Sequence, residues 1–541
     1  MEDKMKVKKL KIVNYKSFKN IIIEMNKDTN IFVGENDAGK TTILESIIMT
    51  LTGKINGFSV FKRLNLDWFN SDIRNNFKEK IATTQAAEPP SIYFEIYFED
   101  DDTDILIQKF RGTNNSLRED AIGVKLEIIF DQQYSAAYQQ LLTESTLKDI
   151  PIEYYKVNYR TFANPEYYIP ITSKKVVSIN TFQKDYGPVL NRFISNTIHD
   201  YLTEKDCTEL RHAYRANRHE FTEHEVVKKL NEKLENNSLH DKKISINLRE
   251  NGIDDWKEDM SIALNDIPLE NMGFGTQNIF KSEMILRQNT DVDILVVEEP
   301  ENNLSYANMS ILISELEKAN NKQLIISTHS SFVANKLGLQ HLHLVSNHQT
   351  VPFSSLDQST YDYFLKLPGY NTLRILLAKH SILVEGPSDE LIIQRAYLDI
   401  HGKLPIMDGV DVICVDSLAF QQYCKLASLI RKKLTIVTDN DGNVENVKER
   451  YSQYGDIVKL CIERDNTLNT LEPSILNANR DTFENFKQII YKGRDIKKIN
   501  YDNLKEFMIN NKTEWSIRVF NSTEKIAYPQ QILDAISIDT E

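Results

Sequence analysis

The segment GENDAGKT, residues 34–41, constrains the fold of this chain more than any other part of its sequence. It matches the pattern G-x-x-x-x-G-K-[ST] in full, with a short apolar strand pattern before it and helical apolar spacing after it. Its glycines let the backbone curl so that N–H groups face phosphate oxygens, and the start of the helix adds positive potential. The sequence therefore predicts a phosphate-binding loop within an α/β fold.

The loop residues have predicted roles in binding ATP. We expect Lys40 to reach the β- and γ-phosphates and the Thr41 hydroxyl to bind Mg²⁺. The other predicted nucleotide contacts come from the rest of the loop and the first helical turn: Gly34, Glu35, Asn36, Asp37, Ala38, Gly39 and Thr42.

Two later strand ends supply groups that ATP hydrolysis needs. The run DILVVEEPE ends in Glu298, predicted to lie on the Mg²⁺ side, and Glu299, predicted to orient the attacking water. The run QLIISTHS contains His329, which is placed to sense a γ-phosphate. Together with the loop, these residues predict an ATPase.

A third candidate for the nucleotide site is the turn MGFGTQ, with Gly273, Gly275 and Gln277. A turn of small residues before a helix can bind an anion, although two glycines alone are common in turns. The 258 residues between Lys40 and Glu298 indicate a long insertion. Such a split head resembles ABC, RecF and SMC proteins, in which the corresponding turn closes on the nucleotide of a second subunit, so a dimer is implied.

A second group of acids follows strand patterns near residues 380–442. Asp439 and Asp441 come after the apolar run LTIV, and alternate side chains of an extended chain share a face. The segment HSILVEGPSDE places Glu385 at another strand end and Asp389 in the first turn of a helix. Sites form at the carboxyl ends of parallel strands, so we expect these four carboxylates to converge.

Oxygen ligands favour Mg²⁺ or Mn²⁺, and two such ions can clamp the attacking and leaving oxygens of a phosphodiester. A calcium loop does not fit this segment. If Asp439 were its first position, Gly442 would stand at position four instead of six, and Arg450 at position twelve.

The pattern along the chain predicts three segments. Residues 1–346 are predicted to form an ABC-type ATPase domain, with a charged helical insertion at about 181–240 that is either a solvated face or a partner surface. Residues 347–378 are predicted to be a linker. Residues 379–541 alternate strand and helix patterns, which is typical of a doubly wound parallel sheet.

Composition limits the compartment and the mode of nucleic-acid binding. The net charge of −13 disfavours non-specific binding of polyanions, so DNA binding would need basic patches or bridging metal ions. The four cysteines lack zinc-ligand spacing, no apolar run approaches about 18 residues, and the first ten residues do not resemble a signal peptide. We therefore expect reduced thiols, no membrane segment and a cytoplasmic location.

The order of these motifs resembles the overcoming lysogenization defect (OLD) family of ATP-dependent endonucleases, in which a Toprim domain follows an ABC-type head. The nuclease subunit of the Gabija anti-phage system belongs to this family. The resemblance covers nearly the whole chain and is strongest at GENDAGKT, VVEEPE, STHS, VEGPSDE and TDND. It implies that the metal ligands are Glu385, Asp389, Asp439 and Asp441, with Glu472 of NTLEPSI as a further ligand.

The resemblance also implies that Lys512 stabilises developing phosphate charge, with Lys525 as the alternative. It implies an ATP-regulated, metal-dependent DNA endonuclease in phage defence, which forms a homo-oligomer and has a helicase-like protein as a possible partner. Two departures are Ser305 after EPENNL, where the family often has His, and Glu298 where ABC proteins have Asp.

Two other functions remain as alternatives. The first is a RecF- or SMC-like ATP-driven DNA clamp whose Toprim fold is only structural. The complete acid set and the lack of long heptads argue against it. The second is a primase or topoisomerase, which the ABC-type head disfavours.

Overall fold

The computed structural model describes most of the chain. The described residues are 5–83, 87–100, 105–166, 176–180, 202–235, 245–248, 255–257, 259–288, 292–319, 322–366, 370–415, 419–492 and 496–537. The chain forms two compact units. The first contains Met1–Ser178, Val292–Glu301 and Asn320–Glu541, and the second contains Ile179–Asp291 and Asn302–Ala319.

The strands described in the first 352 residues vary widely in length. The described strands are β1 Val7–Tyr15, β2 Phe18–Glu24, β3 Thr29–Gly34, β4 Lys54–Ile55, β5 Phe58–Ser59, β6 Ile92–Phe98, β7 Arg111–Gly112, β8 Ala121–Phe130, β9 Tyr155–Thr161, β10 Val176–Asn180, β11 Ala263–Leu264, β12 Ile267–Pro268, β13 Ile294–Glu298, β14 Gln323–Thr328, β15 Leu342–Ser346 and β16 Gln349–Pro352.

Helices connect these strands. The described helices up to residue 377 are α1 Lys40–Thr52, α2 Val60–Arg63, α3 Ser71–Thr83, α4 Ile105–Gln108, α5 Ser135–Thr143, α6 Glu204–Glu223, α7 Glu225–Glu235, α8 Phe274–Gln288, α9 Tyr306–Lys318, α10 Ser331–Leu337, α11 Gln358–Lys366 and α12 Tyr370–Leu377.

Two sheets hold the phosphate loop. The first is antiparallel, in the order β2–β1–β6–β8–β7, with β9 also paired to β8. The second contains β13, β14, β3 and β15 as parallel neighbours, with β16 antiparallel to β15. Helix α1 is apolar on several faces and contacts strands of both sheets. The carboxyl ends of β13, β14 and β3 therefore meet at one edge, where the loop leads into α1.

The C-terminal part has its own core around a parallel sheet. Its strands are β17 His380–Val384, β18 Val410–Cys414, β19 Leu434–Val437 and β20 Val458–Cys461. Its helices are α13 Pro387–His401, α14 Phe420–Leu429, α15 Val444–Tyr451, α16 Leu471–Ala478, α17 Phe483–Ile490, α18 Tyr501–Asn510, α19 Lys512–Phe520 and α20 Gln530–Ile536. The strand order is β18–β17–β19–β20, and all three pairs are parallel.

This topology decides which residues meet in the C-terminal sheet. Because β17 pairs with β19, the residues that follow these strands lie side by side. Helix α19 packs against α13, which brings the C-terminal segment to the same edge. The prediction of a split ATPase head followed by a parallel Toprim sheet is confirmed.

Some local predictions differ from the structure. Residues 245–248, whose apolar and polar residues alternate, have no regular structure. The predicted linker 347–378 contains β16, α11 and α12, and Asn347 and His348 form a tight hairpin with φ angles of 48° and 57°. The sequence did not predict this hairpin, because β16 is only partly buried and its segment is polar. The predicted insertion is helical at α6 and α7, while residues 181–201 and 236–240 lie outside the described residues.

None of the helices in the described part of the chain is long and apolar enough to cross a membrane. The four cysteines, all within the described residues, are not joined by disulfide bonds.

Candidate active sites

The phosphate loop is shaped by close packing of its two glycines. A Cβ atom on Gly34 would lie 2.1 Å from the carbonyl oxygen of Val345, so a larger residue does not fit beside β15. Gly39, at the start of α1, has a φ of 107°, a conformation that favours glycine. The loop therefore needs glycine at both positions, as its pattern predicts.

Lys40 already lies at the centre of this loop. Its side chain is 5% exposed, and Nζ donates to the carbonyl oxygens of Gly34, at 3.0 Å, and Glu35, at 2.7 Å. Burial lowers the pKa of Lys40 to about 8, while the charges of Glu299 and Glu301 act in the opposite direction. The lysine is held by carbonyl oxygens that phosphate oxygens can replace.

The strand ends predicted to serve hydrolysis converge on Lys40. Glu298, the last residue of β13, hydrogen-bonds to the side chain of Thr41, and burial raises its pKa. The structure thus brings together both residues predicted to bind Mg²⁺ in the ATP site.

Glu299 and His329 also meet. The Oε1 atom of Glu299 is 3.1 Å from Nε2 of His329. Burial and the charge of Lys40 lower the pKa of His329, and Glu299 opposes this shift. The residues predicted to orient water and to sense phosphate are therefore in contact, and both roles stay predictions.

Glu301 is a structural residue of this site that sequence reasoning missed. Its Oε1 atom accepts hydrogen bonds from the hydroxyl of Thr328, at 2.8 Å, and from the backbone N–H groups of His329, at 2.7 Å, and Ser330, at 3.1 Å. Burial raises its pKa. Glu301 fixes the segment that carries His329, and the only sequence signal for it was a third acid in EEPE.

The glycine turn belongs to the second compact unit. Gln277 points inward: it is 5% exposed, and its Nε2 donates to the carbonyl oxygen of Met272 at 2.9 Å. A Cβ atom on Gly275 would lie 2.6 Å from the carbonyl oxygen of Asn303, whereas one on Gly273 would meet no atom within 4 Å. Gly275 and Gln277 thus have structural contacts, and Gly273 is the open position of the turn.

The acids of the C-terminal sheet form one cluster. Glu385 follows β17, and its Oε1 accepts hydrogen bonds from the Thr438 hydroxyl and, at 3.1 Å, from the backbone N–H of Asp439. Burial, followed by the charges of Glu385 and Glu472, raises the pKa of Asp389 to about 7. This carboxylate lies in the first turn of α13, as predicted.

Asp439 has the same kind of environment. Burial raises its pKa to about 8, and the charges of Glu385, Asp389 and Glu472 act in the same direction. Repulsion among these groups makes the charged form unfavourable unless a cation compensates it. The structure therefore brings together four acids, which are Glu385, Asp389, Asp439 and Glu472.

Lys512 is the basic residue beside this cluster. Its Nζ atom is 3.7 Å from Oε1 of Glu472, a carboxylate that is 2% exposed and accepts a hydrogen bond from the Thr470 hydroxyl. Its charge opposes the rise in the pKa values of Asp389 and Asp439. Lys525 instead donates to the backbone oxygen of Asp399 at 3.2 Å, so the geometry favours Lys512.

The predicted pairing of Asp439 with Asp441 is wrong in this structure. Asp441 is exposed and has a φ of 50°, so the extended alternation stops before it. The cause is Asn440, which is fully buried and donates to the carbonyl oxygens of Glu463, at 3.0 Å, and Asp465, at 2.9 Å. Asn440 anchors the turn through these two bonds, which no local sequence pattern indicates.

The acid cluster fits a divalent cation by its chemistry. Within the described residues, no three His, Cys, Asp or Glu side chains already surround one point as ligands. The four acids offer only oxygen donors and repel one another, which suits a hard cation such as Mg²⁺ or Mn²⁺. We conclude that the residues fit the ion, with side-chain adjustment on binding.

A P-loop head with a Toprim domain defines the class of this protein. The chain belongs to the AAA ATPase domain family, whose model matches residues 5–334. Residues 376–441 match the TOPRIM domain of overcoming lysogenization defect protein-like proteins, and the two domains together are those of the OLD family.

Individual relatives cover different parts of the chain. Endonuclease GajA of Bacillus cereus (strain HuB5-5) is 22% identical over 83% of this chain and 76% of its own length. The DNA replication and repair protein RecF of Clostridium kluyveri is 43% identical over 68 residues, 13% of this chain. That match spans 18% of the RecF protein, so the chain matches less than a fifth of this relative.

Two solved structures have low TM-scores against parts of this chain. RecF bound to ATP is 11% identical, with a TM-score of 0.31 over 61% of this chain and 92% of RecF. The C-terminal region of the OLD protein of Xanthomonas campestris pv. campestris is 19% identical. Its TM-score is 0.23 over 29% of this chain and 92% of that region.

Proposed function

We propose that this protein is an ATP-regulated, divalent-metal-dependent DNA endonuclease. The observation that carries the proposal is the cluster of Glu385, Asp389, Asp439 and Glu472 beside Lys512. Placing four carboxylates together in a half-buried site opposes folding, so a purely structural domain has no reason to keep them.

The four carboxylates would hold one or two Mg²⁺ or Mn²⁺ ions. Bound metal supplies Lewis-acid stabilisation of the attacking and leaving oxygens of a phosphodiester. Glu385 is oriented by Thr438, and Asn440 holds the turn after Asp439. Lys512 is positioned to stabilise negative charge on the phosphate. Asp441 remains a predicted ligand that would have to turn inward when metal binds.

The ATP site would regulate this reaction. Lys40 and Thr41 bind the phosphates and Mg²⁺, Glu298 completes the metal side, and Glu299 orients water beside His329. These roles are supported by the convergence of the three segments on one edge of the sheet.

The partners and biological role are also proposals. The likeness to endonuclease GajA supports cleavage of nucleic acid. DNA as the substrate and a role in anti-phage defence are what the resemblance to the OLD family implies. The split head and its glycine turn support a homo-oligomer, because the turn would be completed across a subunit interface. A helicase-like partner and a cytoplasmic location stay predictions.

The test is incubation of the purified protein with supercoiled plasmid, Mg²⁺ or Mn²⁺, and a range of ATP concentrations. We expect nicked or linear DNA with metal, none with a chelator, and a rate that depends on ATP. A metal-dependent reaction that is lost in Asp439→Asn and kept in Asp456→Asn would support the proposal. Asp456 is an exposed acid of the same sheet region and serves as the matched control.

An ATP-dependent DNA clamp is the second candidate. The ATPase domain and the segment similar to RecF favour it. Salt-resistant DNA retention that needs ATP, with no cleavage under any metal condition, would replace the nuclease by the clamp.

A further inference from the structure

An ion pair between a buried lysine and a partly exposed glutamate connects the phosphate loop to the Toprim sheet. Lys432 is 7% exposed, and its Nζ donates to Oε1 of Glu35 at 2.6 Å and to the carbonyl oxygen of Leu376 at 3.2 Å. Glu35 is the second residue of the phosphate loop, and Lys432 lies two residues before β19. A lysine of the proposed nuclease domain therefore contacts the ATP-binding loop directly.

The contact continues to the centre of the ATP site. Lys40 donates to the backbone oxygen of Glu35 at 2.7 Å, while the side chain of the same residue holds Lys432. A bound nucleotide would draw Lys40 towards its phosphates, which removes one of the bonds that fix residue 35. The position of the Glu35 carboxylate is thereby linked to nucleotide occupancy.

The other side of the pair lies at the base of two strands. Lys432 precedes β19, which leads to Asp439, and Leu376 lies four residues before β17, which leads to Glu385. The strands β17 and β19 are hydrogen-bonded neighbours. A shift at Lys432 and Leu376 would reach both acids through short, regular segments.

Because Lys432 is buried, loss of its contact with Glu35 would destabilise the charged lysine. Burial alone disfavours its charged form, and Glu35 is the acid that counteracts this effect. If Glu35 moves, Lys432 must either follow it or remain as a poorly compensated buried charge. Either outcome disturbs the base of β19.

We propose that the Glu35–Lys432 ion pair is the regulatory link through which nucleotide binding at the phosphate loop changes the arrangement of Glu385 and Asp439. The regulation of cleavage rests on the proposed nuclease function. The structural link between the two sites does not depend on that function, so the link and the nuclease function can be tested separately.

The test compares Lys432→Met with Lys433→Met. Lys433 is the adjacent lysine, is exposed, and provides a matched loss of charge. Two quantities are measured with and without a non-hydrolysable ATP analogue: hydrogen–deuterium exchange of residues 434–442 and the rate of plasmid cleavage. In the unaltered protein and in Lys433→Met, we expect the analogue to change exchange and to change the rate by roughly five-fold or more.

In Lys432→Met, the analogue should change neither the exchange of residues 434–442 nor the rate of plasmid cleavage. The ratio of the cleavage rates with and without the analogue should therefore be close to one. Nucleotide-dependent exchange that is equal in all three proteins, or absent from all three, overturns the link. If no protein cleaves DNA but exchange responds as expected, the nuclease proposal fails while the link stands.

Glu35→Gln is a second variant in case Lys432→Met does not fold. It removes the charge from the loop side and keeps a hydrogen-bond acceptor for Lys432. We expect it to weaken the response of residues 434–442 in the same direction, whereas a full response in a folded Glu35→Gln protein contradicts the proposal.

Discussion

The phosphate loop and the acid cluster are held together in opposite ways. In the loop, Lys40 is bonded to two backbone carbonyls, and Glu301 accepts three hydrogen bonds. In the cluster, burial and then the neighbouring negative charges raise the pKa values of Asp389 and Asp439. The first site is shaped by backbone geometry. In the second site, the carboxylates repel one another, and a bound cation would reduce this repulsion. Variants should therefore affect the two sites differently.

The largest expected effect is loss of DNA cleavage in Asp439→Asn. The substitution keeps the size of the side chain but removes a charge from the cluster, which should lower the cleavage rate by about 1,000-fold, as for removal of a charge-stabilising group. ATP hydrolysis should remain near the native rate. Plasmid nicking and phosphate release measure the two activities.

The control for this experiment is Asp456→Asn, which should keep both activities. If folded Asp439→Asn protein, free of contaminating nuclease, cleaves DNA at the native rate, the acid cluster does not take part in the reaction.

Lys40→Ala should have the next largest effect. It should impair the ATP site and leave the acid cluster unaffected. Removing the amine that faces the phosphates should weaken ATP binding by about 100-fold, which corresponds to ~2.7 kcal/mol. The acid cluster should still bind Mn²⁺, because its own residues are unchanged. Calorimetry with ATP and with Mn²⁺ measures both, and native ATP affinity would contradict the role of Lys40.

Glu299→Gln separates binding from turnover within the ATP site. ATP should bind as before, and hydrolysis should fall by about 100-fold because the water loses its orienting carboxylate. Glu301→Gln is the comparison, since it retains an oxygen acceptor for Thr328 and His329. Hydrolysis at the native rate in Glu299→Gln would reassign the catalytic acid.

A smaller effect is expected from the glycine turn. Gly273→Asp places a carboxylate where there is open space, and repulsion from phosphate should lower ATP turnover by about ten-fold if the turn closes on nucleotide. Gly275→Asp cannot test this, because its side chain would collide with the backbone of Asn303. Unchanged turnover in a folded Gly273→Asp protein would mean that the turn is only structural.

The difference between the phosphate loop and the acid cluster also explains which features could be predicted from the sequence. Gly34, Lys40 and Thr41 follow a pattern in which local backbone geometry fixes the site, so their placement was predictable. Convergence of Glu385 with Asp389 also followed from a short strand, turn and helix. The pattern did not predict how Asp441 turns outward, because that depends on the bonds of Asn440 to Glu463 and Asp465, which lie more than twenty residues away in sequence.

Long-range contacts account for the other omissions. Glu301 acquires its role only when β13 and β14 are neighbours, and Lys432 meets Glu35 across 397 residues. No local pattern contains such a pair. The choice between Lys512 and Lys525 likewise required the packing of α19 against α13.

The smallest expected effect is on the pH dependence of stability in the metal-free protein. The folded-state pKa values of Asp389 and Asp439, about 7 and about 8, lie above the ordinary value of 3.8. The folded protein therefore holds protons that the unfolded chain releases, and its free energy of unfolding should fall as pH rises towards 8. His343 and His380, with pKa values lowered to about 4, act in the opposite sense below pH 6.5. The acids therefore dominate between about pH 6.5 and 8.

Comparing Asp439→Asn with the unaltered protein in this range cancels the titration of other groups. The variant lacks the unfavourable charge, so its melting temperature should exceed that of the unaltered protein by about 1 °C at pH 8, which is ~1 kcal/mol for a chain of 541 residues. The difference should narrow as the pH is lowered, because Asp439 becomes protonated. Added Mg²⁺ should reverse the order, since it stabilises the unaltered cluster more. Parallel melting profiles across pH, with and without Mg²⁺, would mean that Asp439 is neither repelled by its neighbours nor a metal ligand.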